Sequence, residues 1–194
     1  MKIIGITGGI GSGKTKALSF FKSRNIPCYE ADIRAKSLMN SNPELVKTIK
    51  SFFGDEIYDK SGLNNKMLAK IVFEDRNLLK NLNDSVHPFV RSDFNRFVSK
   101  QKSNIVVHES AILFEHGLQK YFDKIILLIT PIEIRIQRLI KRDSLSLDEV
   151  YKRIDNQMGD KEKISLADYV VKNLDWEDTI MQLDKIYSEV LGLV

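Results

Sequence analysis

The sequence predicts an α/β fold: a parallel five-stranded sheet flanked by helices, with a helical insertion and a helical lid. Three observations lead there. Strand-like apolar runs alternate with helix-like segments along the chain. The first run, Ile3-Ile4-Gly5-Ile6-Thr7, leads into Gly8-Gly9-Ile10-Gly11-Ser12-Gly13-Lys14-Thr15, which satisfies G-x-x-x-x-G-K-[ST] and opens the helix-like Lys16-Ala17-Leu18-Ser19-Phe20-Phe21. Residues from about 42 to 102 then keep a helical period with no convincing strand.

Strand, glycine loop and helix together make the octapeptide a P-loop rather than a glycine-rich hairpin, so the sheet is of the P-loop NTPase type. Glycines let the backbone turn its N–H groups inward around a polyphosphate, and the following helix points its positive end at the same anion. Lys14 is expected to reach the β- and γ-phosphates, with the Thr15 hydroxyl as a Mg²⁺ ligand.

After the first helix, Asn25-Ile26-Pro27 breaks the pattern, and Pro27-Cys28-Tyr29-Glu30 reads as a short second strand leading to Ala31-Asp32. Asp32 thus falls just past the carboxyl end of a strand, the edge where open α/β sheets bind ligands. A carboxylate there can accept a proton from an attacking hydroxyl or help hold Mg²⁺; it can equally cap a helix, and position alone leaves both readings open.

In the insertion, Leu45, Ile49, Phe52 and Phe53 recur at helical spacing, then Leu68, Ile71 and Val72, then Leu78, Leu79, Leu82, Val86, Phe89 and Val90. Its place between the second and third strands suits a substrate-binding subdomain. Pro88 is expected to hold His87 in extended geometry and to break or kink the helix. Asp59-Lys60-Ser61-Gly62 has the D-x-x-G form of a GTPase switch but follows no apolar strand, and reads as a turn.

The third strand, Ile105-Val106-Val107-His108-Glu109, ends in a carboxylate, and Glu109 is the best-placed Mg²⁺-assisting acid after Asp32. The fourth runs from Lys124 to Thr130, and Pro131 starts a helix carrying Arg135, Arg138 and Arg142. Asp143-Ser144-Leu145-Ser146 turns into a second helix expected to carry Lys152, Arg153 and Gln157. Arg138 and Arg142 share one face, and after a P-loop such a hairpin can close over the phosphates, excluding water and neutralising charge. Without a P-loop it would read as a solvated face. A fifth strand, Asp168 to Lys172, and the amphipathic helix Trp176 to Leu191 complete the sheet and its cover.

A chain of 194 residues can bury one substantial core, and its charged and apolar fractions are those of a folded protein. The net charge of +4 suits anionic ligands, but the basic residues are scattered among acidic ones, so no nucleic-acid groove is expected. The single cysteine, Cys28, excludes an internal disulfide and a thiolate metal cluster, suits a reducing compartment and reads as a small core residue. The amino-terminal run is too short for a signal peptide, and Ile125 to Ile129 falls far below membrane-spanning length, so a cytoplasmic protein without a membrane partner is expected.

These residues carry a resemblance over nearly the whole chain: the sequence resembles the dephospho-CoA kinase family. That family opens with a strand and T-G-G-I-G-S-G-K-[ST], here Thr7 to Thr15. Its D-A-D segment is matched by Glu30-Ala31-Asp32, its helical middle by Leu63-Asn64-Asn65-Lys66, Ile71-Val72-Phe73 and His87-Pro88, and its P-L-L-F-E segment by Leu113-Phe114-Glu115. Arg138, Arg142-Asp143, Arg153, Gln157-Met158, Lys163, Ala167-Asp168 and Asn173 follow at matching separations. Departures at Lys16, Ala111 and Lys172 fall at turns or surface positions.

The resemblance implies Mg²⁺-dependent transfer of the ATP γ-phosphoryl to the ribose 3′-hydroxyl of dephospho-CoA, the last step of coenzyme A synthesis. It implies Asp32 as base or hydroxyl-orienting group, with Lys14, Arg138 and Arg142 supplying charge to the transferring phosphoryl. Expected ATP contacts are Gly8, Gly9, Ile10, Gly11, Ser12, Gly13, Lys14, Thr15, Lys16 and Asn173. Expected acceptor contacts are Thr7, Asp32, His87 and Glu109, and expected Mg²⁺ ligands are Thr15 and Asp32. The implied division is a nucleotide-binding core at about 1–41, 103–135 and 164–194, an acceptor subdomain at 42–102 and a lid at 136–163, in a monomer or weak homo-oligomer. A nucleoside or nucleotide kinase would share the sheet, loop and lid. A GTP-binding switch would need N-K-x-D after a strand, and Asn65-Lys66-Met67-Leu68 lacks the acid.

Overall fold

The computed structural model describes residues 1–192, which pack as two compact units, one of residues 1–29 with 101–192 and one of residues 30–100. The larger unit is built on five strands: β1 (Lys2–Thr7), β2 (Cys28–Glu30), β5 (Ile105–Glu109), β6 (Lys124–Ile129) and β7 (Tyr169–Lys172), in the order β2-β5-β1-β6-β7. β1 pairs in parallel with β5 (Ile6 opposite Glu109) and with β6 (Ile6 opposite Ile126), and β6 pairs in parallel with β7. From β1 the chain first moves to the β2 edge, and after β5 it crosses to β6. The carboxyl end of β1 is therefore a switch point, where connections leave in opposite directions.

Helices α1 (Lys14–Lys22) and α9 (Trp176–Leu191) cover the sheet. Ala17, Leu18 and Phe21 of α1 and Leu183, Ile186 and Val190 of α9 join Ile4, Ile6, Val107, Ile126, Leu128 and Val171 in one buried cluster, with Cys28 partly buried against it. β5 is buried from end to end, its apolar run Ile105-Val106-Val107 followed by the buried polar His108 and Glu109. Burying one such aliphatic side chain contributes roughly 2 kcal/mol. Residues 136–163, the expected lid, fall on α6 (Ile132–Asp143), α7 (Leu147–Asp155) and α8 (Asp160–Leu166). Ser144 ends α6 in a left-handed conformation, and Ser146 with Glu149 forms a capping box that starts α7.

The smaller unit holds α2 (Ala31–Ser41), α3 (Pro43–Phe53), the hairpin β3 (Tyr58–Asp59) and β4 (Gly62–Leu63), α4 (Asn65–Glu74) and α5 (Arg76–Ser99). Asn42, Asn64 and Asp75 cap α3, α4 and α5 with side-chain oxygens, which is where three of its helix starts are written in sequence. Leu45, Ile49, Ile57, Leu68, Val72, Leu82 and Val86 form its separate core. By packing, α2 belongs here: Arg34 binds Asp93 of α5 through two hydrogen bonds of 2.8 Å, and Asn40 and Met39 accept from the hairpin. The unit thus begins at Glu30, ahead of the expected 42.

Two expectations are corrected. Lys60 and Ser61 do form a turn, but between two short paired strands inside a stretch read as wholly helical. His87-Pro88 does not break the helix: α5 runs through it from Arg76 to Ser99. A helix-interior proline costs about 3 kcal/mol. Leu82 and Val86 before it and Phe89 and Val90 after it pack into the same core and hold the helix together, while Pro88 itself faces solvent. Among the described residues no helix is long and apolar enough to cross a membrane.

Candidate active site

The glycine loop joins the buried end of β1 to α1. Gly13, just before the helix, has φ +95°, and a Cβ there would collide with the Asn173 amide, so only glycine fits. Lys14 follows as the first residue of α1, with its ammonium folded back to donate to the Gly8 carbonyl at 3.0 Å. It lies 4.0 Å from Glu109 Oε1, and the two side chains are only 10% and 9% exposed. Glu109 ends β5, the neighbour of the strand β1 from which the glycine loop leads to Lys14, so a cation and an acid stand together at the carboxyl edge of the sheet, largely shielded from water.

Thr7 Oγ1 and Ser12 Oγ are buried without a hydrogen-bond partner among the described residues. Leaving a buried hydroxyl unsatisfied costs about 1–3 kcal/mol, so both are suited to oxygens of a bound ligand. Thr15, in the first turn of α1, is exposed. Lys16 stands with Nζ 4.4 Å above the Trp176 ring.

The back of the loop is held by side chains. Asn173, after β7, donates to the Ser12 carbonyl at 2.6 Å and is fixed by Thr179, which donates to its Oδ1 at 3.1 Å. Thr130 donates to the same Ser12 carbonyl at 3.2 Å. From α6, Arg138 donates to the Gly11 carbonyl at 3.2 Å and Arg135 to the Ile10 carbonyl at 2.8 Å, while Gln157 accepts from the Ile10 N–H at 2.7 Å.

The structure therefore gathers Gly8 to Thr15, Glu109, Arg138 and Asn173 at the carboxyl end of β1. Arg142 lies farther along α6, largely exposed, in a double hydrogen bond to Asp143 of 2.7 and 2.8 Å that holds the guanidinium charged above its ordinary pKa. Asp143 also reaches Arg153 at 3.7 Å, so one acid ties the two arms of the hairpin. Asp32 and His87 belong to the smaller unit, on the mutually packed α2 and α5. Asp32 is exposed in the first turn of α2, and Glu30 occupies the N-cap position, so the capping alternative for Asp32 falls.

Sequence reasoning did not single out Arg135, Thr130 or Gln157 as loop braces. Arg135 left one signal: it falls four residues before buried Leu139, on the face an amphipathic helix keeps apolar, and it is 5% exposed. Beside Glu109, His108 is stacked on Tyr29 with centroids 5.2 Å apart, and burial lowers its pKa to about 4.

A switch-point loop around a buried lysine, with arginines supplied by α6 after the neighbouring strand β6, defines a P-loop phosphotransferase. Comparison with known proteins narrows the class. The family model for dephospho-CoA kinases matches residues 2–178, and on that match the chain belongs to the dephospho-CoA kinase family. The dephospho-CoA kinase of Lactobacillus johnsonii is 36% identical over 193 residues, covering 97% of this chain and 96% of its own, so the likeness includes the helical unit and lid as well as the loop. A crystal structure from Thermus thermophilus superposes with a TM-score of 0.84 at 31% identity over 97% of each chain. The dephospho-CoA kinase from Campylobacter jejuni superposes at 0.69 with 26% identity, covering 99% of this chain and 98% of that one.

Proposed function

We propose that this chain transfers the γ-phosphoryl of ATP to the ribose 3′-hydroxyl of dephospho-CoA, giving CoA and ADP, the closing step of coenzyme A synthesis, in the cytoplasm. The observation that carries the reading is the buried Lys14 beside Glu109 at the mouth of the glycine loop, in a chain matched to the family over residues 2–178. Lys14 would leave the Gly8 carbonyl for the β- and γ-phosphates, and the unsatisfied Ser12 hydroxyl would gain an acceptor there.

The donor set suits Mg²⁺. Among the described residues no three His, Cys, Asp or Glu side chains stand together as a metal cage, and Mg²⁺ characteristically takes one or two protein oxygens and completes its shell with phosphate and water. The exposed Thr15 hydroxyl would be one such oxygen, with Asp32 or Glu109 as the assisting acid. When bound there, the ion would supply positive charge to the phosphates. Asp32 orients the acceptor hydroxyl and takes its proton, His87 and Thr7 contribute to the acceptor pocket, and Arg138 and Arg142 bring positive charge as the lid closes.

The test is an ATP-consumption assay with Mg²⁺, offering dephospho-CoA, AMP, adenosine or no acceptor. Acceptor-dependent turnover with dephospho-CoA alone supports the reading. Turnover with AMP or adenosine instead would leave a P-loop kinase of a different acceptor class.

A further inference from the structure

Residue 10 of the glycine loop is gripped on both sides of its α-carbon. Its N–H donates to Gln157 Oε1 at 2.7 Å and its carbonyl accepts from Arg135 Nε at 2.8 Å. The two grips come from different parts of the lid segment, Arg135 from α6 and Gln157 from the turn between α7 and α8. Each is anchored in turn. Arg135 lies 3.2 Å from Asp160 Oδ2 at the start of α8, and its guanidinium fills the space a side chain on Gly9 would need. Next to Gln157, the Met158 N–H donates to Glu115 Oε1 at 2.9 Å. The same oxygen stands 2.8 Å from Nζ of the fully buried Lys163 on α8, an ion pair rather than an aligned hydrogen bond. Ile10, Arg135, Asp160, Lys163, Glu115 and Gln157 thus form a closed circuit linking the loop to the root of the lid.

We propose that Gln157 and Arg135 are positioning residues that clamp the Ile10 peptide, so that the loop is held in phosphate-binding form before nucleotide arrives. Glycine loses more conformational freedom on ordering than any other residue, and in a loop with glycines at 8, 9, 11 and 13 the clamp orders Ile10 alongside the Gly11 and Ser12 carbonyls that Arg138, Asn173 and Thr130 hold. Fixing a binding loop in advance removes that cost from the binding step and raises affinity without adding a ligand contact. Both grips engage the Ile10 peptide groups, and Arg135 is already occupied by a carbonyl and a carboxylate. The clamp also means that a displaced lid root disturbs the loop, which couples the two parts.

This inference rests on the reading that the loop holds the ATP phosphates, and its test separates the two. In the unmodified, nucleotide-free protein, the Ile10 amide is expected to exchange with solvent at least about tenfold more slowly than an open loop amide, the equilibrium worth of one hydrogen bond. Gln157→Met keeps the length of the side chain and removes the acceptor. It is expected to speed Ile10 exchange about tenfold relative to the Ile126 amide of β6 and to raise KM for ATP by a similar factor. KM for dephospho-CoA and kcat should each change by less than about threefold. Arg135→Lys should move KM for ATP in the same direction from the other side of the peptide, and if it fails to fold, exchange and Gln157→Met decide. Unchanged Ile10 exchange and unchanged KM for ATP in Gln157→Met would overturn the clamp. Nucleotide affinity that survives Lys14→Ala would overturn the phosphate reading itself, whereas affinity lost with Lys14→Ala but unaltered in Gln157→Met would remove only the clamp.

Discussion

Lys14 Nζ stands 4.0 Å from Glu109 Oε1, its side chain folded back from α1 to the carboxyl end of β1, where Glu109 is paired opposite Ile6. Two charges with about a tenth of their side-chain surface in water interact far more strongly than a surface pair. Lys14→Ala is expected to lower kcat/KM by about 10³-fold, as loss of a charge stabilising a phosphoryl transition state does. Steady-state kinetics check this, and turnover near that of the unmodified protein would remove the loop from catalysis.

Asp32 lies in the first turn of α2 without serving as its cap. If its carboxylate takes the proton of the acceptor hydroxyl, Asp32→Asn lowers kcat by about 10²–10⁴-fold while leaving nucleotide affinity unaltered. Titration with ADP beside single-turnover kinetics separates the two effects. Equal turnover would leave the carboxylate without a chemical part.

Arg142 is tied to Asp143 at the end of α6, and Asp143 also holds Arg153. Arg142→Ala is expected to slow transfer by roughly tenfold to a hundredfold through loss of lid charge. It should also raise ATP hydrolysis in the absence of acceptor, since a lid that closes poorly admits water. Both rates follow from ADP release with and without dephospho-CoA, and unchanged rates would return Arg142 to the solvated surface.

His108 supplies a pH prediction. Burial lowers its pKa from 6.5 to about 4, so between those values the unfolded chain binds the proton that the folded chain refuses. Stability from this group is therefore complete above pH 6.5 and is lost as pH falls toward 4, by roughly 3 kcal/mol. Denaturant unfolding at pH 7 and pH 4 measures it. His108→Phe should lose about 3 kcal/mol less over that interval than the unmodified protein, and equal losses would refute the assignment.

What could be read from the chain and what could not divide along the range of the interactions. The glycine loop, the helix from Trp176 to Leu191 and the fully buried strand ending in Glu109 are written locally, in spacing and in continuous apolar runs. The hairpin at Tyr58–Asp59 and Gly62–Leu63 is too short to carry a two-residue period, and it is fixed by Asn40 and Met39 nearly twenty residues or more away. At Pro88 a local rule is overridden by the core packing of Leu82 and Val86 before it and Phe89 and Val90 after it. Arg135 and Gln157 looked like two more polar residues of a lid. Their bonds to Ile10 span 125 and 147 residues, and no spacing in the sequence announces them.

The central claim, phosphoryl transfer to one hydroxyl of one acceptor, is tested most directly by identifying the product. Protein, Mg²⁺, ATP and dephospho-CoA should give an acceptor heavier by one phosphoryl group, with its phosphorus resonance assigned to the ribose 3′ position, and Lys14→Ala should give none. An unaltered acceptor, or a phosphoryl group found at another position, would contradict the account.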